Sequence, residues 1–245
     1  MPDESPTLDL IERLAAAPDR MTFDALQRLI GLPEVVLRGR LEQLVARGWV
    51  DADADGRSFA IGVGALRPGS AYLFGDRASR LAGPILSRLR DQIDESVRLI
   101  RLDGAAIVCL ASRESSRDVL GPAVGRRYPA HAAASGRAIL AHRNRAEVDA
   151  ILDAGLEPHT VDTLADRRAL SEALRECRTL GWAYERGEVT PGLGCVAVAV
   201  DARPLPVTDA ISCTVPLPRL TDEHAEDVAA CLQRAAAELA AALLV

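Results

Sequence analysis

The chain has 245 residues with 49% hydrophobic content and a formal net charge of −6, enough apolar material for the cores of a small and a medium-sized domain. It has no apolar run near the roughly 20 residues that span a bilayer, and its N-terminus lacks the basic and apolar regions of a signal peptide. We therefore expect a cytoplasmic protein with no membrane partner. The odd set of five cysteines has no CxxC pair, which argues against a disulfide framework and a structural zinc. His142, His159 and His224 have no ligand spacing, so we predict no metal, and we predict no cofactor.

The N-terminal part reads as a compact helical domain with a hairpin. Apolar residues at helical spacing predict helices over 7–17, from Thr22 to Gly31, and from Pro33 to Gly48. Alternating residues predict strands over 49–52 and 58–63 around an Asp-Gly turn. Two helices, a turn with glycine, a third helix and a short hairpin are typical of a winged helix-turn-helix.

The remainder of the chain mixes helices with antiparallel strands. Pro68 and Gly69 indicate a domain boundary, and apolar residues then predict an amphipathic helix over 81–93. The predicted elements that follow are strands over 97–102, 105–111, 119–127, 195–200 and 210–215, a helix opening within 128–141, and helices over 146–152, from a Thr163–Asp166 capping box to Gly181, and after Thr221. Hairpin-linked strands with helices packed to one side predict an α+β fold.

A polar loop next to an apolar strand is the first candidate binding feature. Glu185, Arg186 and Glu188 lie just before the apolar strand 195–200, and this combination is typical of a small-molecule pocket. Alternation also places Ser212 and Thr214 on one face of the last strand. The same pattern is equally that of a surface loop leading into a core strand.

Small residues at the start of the helix within 128–141 form a second candidate feature. The run Ala132–Ser135 leaves the first N–H groups of that helix uncovered, which suits an anionic or carbonyl ligand. Tight helix packing uses small residues as well, so both interpretations stay open.

Three stretches carry a family resemblance. They are GLPEVVLRGRLEQLVARGWVDADADGRSFAIG, YPAHAAASGRAILA and the acidic loop that precedes Cys195. Together they resemble the IclR family of bacterial transcriptional regulators over essentially the whole chain. The resemblance implies a winged helix-turn-helix domain over 1–66, a linker helix over 67–80, and a GAF- or profilin-like α+β effector-binding and oligomerisation domain over 81–245.

The resemblance also implies partners and sites. The expected partners are double-stranded operator DNA, a small organic effector such as a carboxylate or aromatic compound, and a second copy in a homodimer or homotetramer. The implied effector-binding residues, all in the C-terminal domain, are Ala134, Ser135, Glu185, Cys195, Ser212 and Thr214. The candidate DNA contacts, on the third helix and the wing, are Glu34, Val35, Arg38, Arg40 and Arg57. Val119, Leu120 and Val124 are the expected lid.

The third helix departs from the family pattern. Glu34, Val35 and Val36 stand where small polar or basic residues are usual, and Gly39 replaces an arginine. Major-groove readout needs polar side chains there, so an effector-binding or protein-interaction module with a degenerate DNA-binding helix is the alternative. An enzyme using Cys195 and His131 is a further alternative, but a thiol in an apolar strand is a poor nucleophile, and no catalytic residue is predicted.

Overall fold

The structure is a computed structural model, and it describes residues 6–118, 120, 123–153 and 155–245. The chain divides into two compact units, with the boundary between Gly75 and Asp76. Among the described residues, no helix combines the length and apolarity needed to cross a membrane.

The first unit is a winged helix-turn-helix. Its elements are α1 (Pro6–Ala16), β1 (Met21–Thr22), α2 (Phe23–Ile30), α3 (Glu34–Ala46), β2 (Val50–Ala52), β3 (Ser58–Ile61), a 3-10 turn (Val63–Ala65) and α4 (Leu66–Gly75). The strands form an antiparallel sheet in the order β1-β3-β2.

Local sequence signals define the helix-turn-helix. The Thr22 hydroxyl accepts a hydrogen bond from the Ala25 N–H at 3.3 Å and caps α2. Gly31 ends α2 with φ 71°, a left-handed conformation that favours glycine. One buried cluster holds the unit together: Leu10, Leu14, Leu26, Leu37, Leu41, Leu44, Val50 and Phe59.

The second unit is an α+β domain. Its elements are α5 (Arg77–Ile93), β4 (Ser96–Asp103), β5 (Ala106–Arg113), β6 (Arg127–Pro129), α6 (Ala134–Leu140), α7 (Arg145–Asp153), α8 (Arg167–Leu180), β7 (Ala183–Arg186), β8 (Leu193–Ala199), β9 (Asp209–Pro216), a 3-10 turn (Leu217–Arg219) and α9 (Asp222–Leu244). The strands form an antiparallel sheet in the order β6-β5-β4-β9-β8-β7. The α+β fold class is confirmed.

Helices cover both faces of this sheet, whereas the sequence pattern predicts helices on one face only. α5 and α9 pack against each other and against strands β4, β8 and β9, while α6 packs against β8 and β9 and contacts α8. A central strand covered on both sides has no solvent-exposed face, and seven consecutive residues of β9, Asp209–Val215, are buried. The prediction of helices on one face was wrong, because the near-continuous burial of β9 requires a cover on each face.

Two predicted boundaries differ from the structure. Residues 67–80 do not form one linker helix, because Asp76 has an extended backbone and its carboxylate accepts from the Ser79 N–H at 2.8 Å, which starts α5. Helix α8 begins similarly at Asp166, which accepts from the Ala169 N–H at 2.8 Å. Thr163 is therefore not its cap, and its hydroxyl instead donates to the Glu188 carbonyl at 2.7 Å.

The strand predicted over 119–127 is also different. The structure has β6 at Arg127–Pro129 instead, paired with β5. Val119, which belonged to the predicted strand and lid, lies outside the described residues.

Candidate functional site

The second unit contains a cavity of about 140 Å³. It is bounded by one face of the sheet, the start of α6, the segment before β6 and the loop between β7 and β8. Its lining residues are Arg98, Ile100, Ile107, Cys109, Leu120, Ala123, Arg126, Tyr128, Ala133, Ser135, Glu185, Val189, Thr190, Leu193, Cys195, Ser212 and Thr214. An apolar cavity of about 150 Å³ accommodates benzene, so the volume suits a monocyclic or short-chain molecule.

Strand register brings the predicted polar residues together at this cavity. Glu185 pairs with Cys195, and Cys195 pairs with Thr214 on the next strand, so these three side chains form a row across the sheet. Ser212 lies on the same face two residues before Thr214 and pairs with Arg98 of β4. The register thus brings Ser212 and Thr214, grouped by spacing along one strand, next to Glu185 and Cys195, which the family resemblance implies.

Arg98 is a lining residue that the sequence analysis missed. Its Nη1 donates to Thr214 Oγ1 at 2.6 Å, and its Nη2 lies 3.8 Å from a carboxylate oxygen of Glu114. The side chain is 16% exposed, and its buried Nε has no hydrogen-bond partner within the described ranges. The available signal was an arginine between the apolar residues Val97 and Leu99, since alternation turns it to the opposite face.

Glu185 is a buried carboxyl group with an altered proton affinity. It is 3% exposed, and its Oε2 accepts from the Glu188 N–H at 2.8 Å. Burial raises the pKa of Glu185 to about 7; the charge of Glu188 acts in the same direction, while the bond from the Glu188 N–H and the charge of Arg137 oppose it. Near neutral pH, the group therefore exchanges between a hydrogen-bond donor and an anion.

The start of α6 is a packing contact. A Cβ atom at Gly136 would lie 2.0 Å from the backbone oxygen of Ala130, so glycine is required for the close approach. Ser135 lines the cavity as predicted, but Ala134 does not, because it packs in the core with Ala138. Ala133 lines the cavity in its place.

A buried ion pair fixes the loop between β7 and β8. Arg137 is 3% exposed; its Nη1 donates to Glu188 Oε1 at 2.9 Å, and its Nη2 donates to the other carboxylate oxygen. The Leu164 N–H also donates to Glu188, at 3.0 Å. Bidentate pairs of this kind are strong and geometrically specific. The arginine at the small-residue helix start thus holds the loop that lines the cavity.

Two residues suggested by the sequence lie away from the cavity. Arg186 donates to the Asp222 carboxylate at 2.8 Å, and His131 Nε2 lies 3.1 Å from the Glu157 carbonyl oxygen. In the part of the chain that the structure describes, Cys195 and His131 share no hydrogen bond, and only Cys195 lines the cavity. Burial raises the pKa of Cys195 to about 12. Such a thiol is not a nucleophile at neutral pH.

The exposed side of α3 carries several of the residues predicted to contact DNA. Val35 is 83% exposed at the start of the helix. Arg38 donates to Glu34 at 2.9 Å, and its guanidinium carbon lies 4.6 Å from the centre of the Phe23 ring. This exposed pair partly neutralises the basic group on the helix surface.

Arg57 and Arg40, the other two residues predicted to contact DNA, differ in exposure and in hydrogen-bond partners. Arg57 is exposed in the turn of the wing, and its backbone N–H donates to Asp53 at 2.7 Å. Arg40 instead directs its guanidinium to the Thr7 hydroxyl on α1, so it is turned away from the face of Val35 and Arg38.

Gly39 faces open space. Apart from the backbone of α3 itself, no atom of the described residues lies within 4 Å of the position of a Cβ there, so close approach of another segment is not the reason for this glycine.

The chain combines a winged helix-turn-helix with a domain that contains a ligand-sized cavity. This combination is typical of one class of protein, the ligand-responsive regulators that bind DNA. Comparison with known proteins agrees. A family model described as bacterial transcriptional regulator IclR C-terminal matches residues 72–241. The HTH-type transcriptional regulator BhcR of Paracoccus denitrificans is 31% identical over 236 residues, which are 95% of this chain and 84% of that protein.

Solved structures show the same fold. An IclR transcriptional regulator from Alicyclobacillus acidocaldarius has a TM-score of 0.83 at 23% identity, with 98% of this chain and 99% of that one covered. An IclR homologue from Microbacterium hydrocarbonoxydans, complexed with 4-hydroxybenzoate, has a TM-score of 0.79 at 23% identity, with 97% of each chain covered. The chain belongs to the IclR family of bacterial transcriptional regulators, so the resemblance seen in the sequence is confirmed.

Proposed function

We propose that the protein binds operator DNA through its first unit and a small organic anion in the cavity of its second unit, and that cavity occupancy changes its affinity for DNA. The observation that carries the proposal is the placement of Arg98, Ser212 and Thr214 in one polar corner of an otherwise mainly apolar cavity. Such a corner fixes one polar group of a ligand while the apolar walls bind its body.

The charge of the cavity favours an anionic ligand. Among the described residues, the lining contains two arginines, Arg98 and the exposed Arg126, and one carboxyl group, that of Glu185; Glu114 lies outside the lining and is 3.8 Å from Arg98, too far for a hydrogen bond. Because the pKa of Glu185 is raised to about 7, an approaching anion binds the protonated form, which can donate a hydrogen bond to it. The partnerless Nε of Arg98 is a buried donor, and leaving such a group unsatisfied is costly.

The remaining walls limit the body of the ligand. Ile100, Ile107 and Leu193 are apolar, and Tyr128 contributes an aromatic ring. A small carboxylate with an aromatic or short aliphatic body fits both the walls and the volume of about 140 Å³. The 4-hydroxybenzoate complex of the Microbacterium hydrocarbonoxydans homologue supports this class of ligand.

We assign the DNA contacts to the start of α3 and to the wing. Val35 is placed to contact a thymine methyl group, Glu34 can accept from a cytosine amino group once Arg38 releases it, and Arg57 is placed to contact phosphate. Arg40 is left out of this set because it binds Thr7. Symmetric half-sites are expected if the protein is a homodimer or homotetramer, acting on the chromosome in the cytoplasm. We assign no catalytic activity.

Titration of the purified protein with DNA from upstream of its own gene tests the DNA-binding part. Between about 50 and 200 mM salt, affinity should fall steeply and exceed that for scrambled DNA. Arg57→Gln should weaken binding and lower the salt slope by about 0.9 for each phosphate that the variant no longer neutralises. Arg145→Gln is the matched control, because Arg145 is a 94% exposed arginine of the second unit.

One observation favours the alternative of a module without DNA binding. The exposed start of α3 presents the Glu34 carboxylate and the apolar Val35 and Val36, and its Arg38 is already paired. Absence of DNA binding at low salt by the folded protein would support this alternative and reject the assignment of α3 as a recognition helix.

A further inference from the structure

A second cavity lies next to α8 and β7. Its volume is about 230 Å³, and its lining includes Trp182, Tyr184, Glu176 and the buried pair Arg137–Glu188. The two cavities share one wall, because Glu188 lines the second cavity while the next residues along the loop line the first. Nothing in the effector site described above uses this space.

The polar groups of the second cavity leave a net negative charge. The positive charge of Arg137 is taken up by the bidentate hydrogen bonds to Glu188. Glu176, an exposed residue at the edge of the cavity, is then the remaining charge in the lining; no described residue forms an ion pair with it, and the Tyr184 hydroxyl donates a hydrogen bond to its carboxylate. A ligand that enters this cavity therefore lies near the Glu176 carboxylate and a neutral Arg137–Glu188 ion pair. This charge distribution favours a cation.

Two aromatic rings stand beside that carboxylate. The ring centres of Trp182 and Tyr184 are 5.7 Å apart, with their planes tilted by 46°. The guanidinium carbon of Arg186 lies 6.0 Å from the centre of the Tyr184 ring, so this ring already has one cation near it. Burial and the nearby charge of Glu176 raise the pKa of Tyr184, which keeps its phenol neutral at physiological pH. Aromatic rings beside a carboxylate are a recurring arrangement for binding ammonium groups.

We propose that the second cavity binds a small organic cation, an ammonium compound with a short apolar or aromatic body. Its ammonium group lies between Glu176 and the rings of Trp182 and Tyr184. Its body contacts the apolar part of the lining, which includes Leu164 and Leu180.

The shared wall gives such a ligand a route to the first cavity. The side chain of Glu188 forms part of the second cavity, and its backbone N–H donates to Glu185 in the first at 2.8 Å. A cation that moves Glu188 thus alters the carboxyl group that faces the effector. This consequence rests on the proposed effector site, whereas binding of the cation does not.

The fluorescence of Trp182 measures binding directly. The chain contains two tryptophans, so Trp49→Phe leaves Trp182 as the single reporter. We expect phenethylammonium to change this fluorescence saturably, and the neutral 3-phenylpropanol and the anionic 3-phenylpropionate to bind at least about five-fold more weakly. Equal binding of the three compounds, or no saturable change, would overturn the proposal.

Two glutamates of α8 provide a matched pair of variants. Glu176→Gln should weaken phenethylammonium binding about five-fold. Glu172 lies one turn earlier and is exposed like Glu176 but is outside the lining, so Glu172→Gln should leave binding unchanged. Equal effects of the two variants would mean that the cation responds only to surface charge, and would reject the site. The assay contains neither DNA nor a ligand for the first cavity, so its failure is distinguishable from a failure of the proposed function.

Discussion

Replacement of Gly136 by alanine should strongly destabilise the second unit. The added Cβ would lie 2.0 Å from the Ala130 oxygen and 2.6 Å from the Ala130 carbonyl carbon and Cα. A relaxed contact needs about 3.5 Å, so α6 and the preceding chain must separate by about 1.5 Å. These atoms belong to the backbone, and no side-chain rotation can relieve the overlap.

The cost follows from the packing around this contact. Overpacking a core typically costs about 1–3 kcal/mol and occasionally more. The displaced helix also contains Ser135, which lines the cavity, and Arg137, which forms the ion pair with Glu188, so both interactions would be disturbed. We therefore expect the free energy of unfolding of the second unit to fall by about 3 kcal/mol or more.

Urea denaturation with a single tryptophan in each unit measures this effect. In the Trp49→Phe background, the emission of Trp182 reports the second unit, and Gly136→Ala should lower its midpoint. Gly39→Ala is the matched control, followed through Trp49 in the Trp182→Phe background. Because a Cβ at Gly39 meets no atom of another described segment within 4 Å, this variant should stabilise the first unit by up to about 1 kcal/mol. A Gly136→Ala protein within about 1 kcal/mol of its parent would refute the packing argument.

Three further variants test the cavity and its wall. Arg137→Leu should cost about 3–5 kcal/mol in urea denaturation because it leaves Glu188 buried and unpaired, and Arg137→Leu with Glu188→Leu should recover part of this loss; equal stability of the two proteins would contradict the argument. Glu185→Gln should flatten the pH dependence of the free energy of unfolding. In the parent, the Glu185 carboxyl has a pKa of about 7 when folded and 4.5 when unfolded, so stability should fall by roughly 3 kcal/mol as pH rises through that window. An unchanged slope in the variant would be inconsistent with this assignment. Arg98→Gln should weaken benzoate binding about ten-fold in calorimetry and spare benzyl alcohol; equal losses for both ligands would show that Arg98 only shapes the cavity.

The sequence predicted most of the elements because their signals are local. Thr22 and Gly31 at the ends of α2, and alternation in β9, each act within a few residues. Alternation within a strand also sufficed to group Ser212 with Thr214. The first residue of α8 could not be predicted from local signals, because both Thr163 and Asp166 are good capping residues. Tertiary contacts decide between them, since the Thr163 hydroxyl is bound to the Glu188 carbonyl.

Features that depend on contacts between distant segments could not be predicted. Arg98 enters the cavity because β4 lies beside β9, a pairing over more than 100 residues of sequence. The pairing of Arg137 with Glu188 likewise joins α6 to a loop 51 residues later. For the same reason the small residues Ala132–Ser135 could be interpreted as uncovering a helix end, although the adjacent Gly136 shows that this helix start packs closely on Ala130. Residue type alone does not distinguish a ligand-binding arginine from a structural one.

The central claim, that the cavity ligand controls DNA binding, is tested most directly by measuring operator affinity with and without a saturating small carboxylate whose binding has been established by calorimetry. Coupling between two sites typically changes affinity by about 5-fold to 150-fold. We predict a change of at least about five-fold in the parent, and in Arg98→Gln we expect the ligand concentration that gives half of this change to be about ten-fold higher. Identical operator affinity of the parent with its cavity empty and occupied would contradict the account.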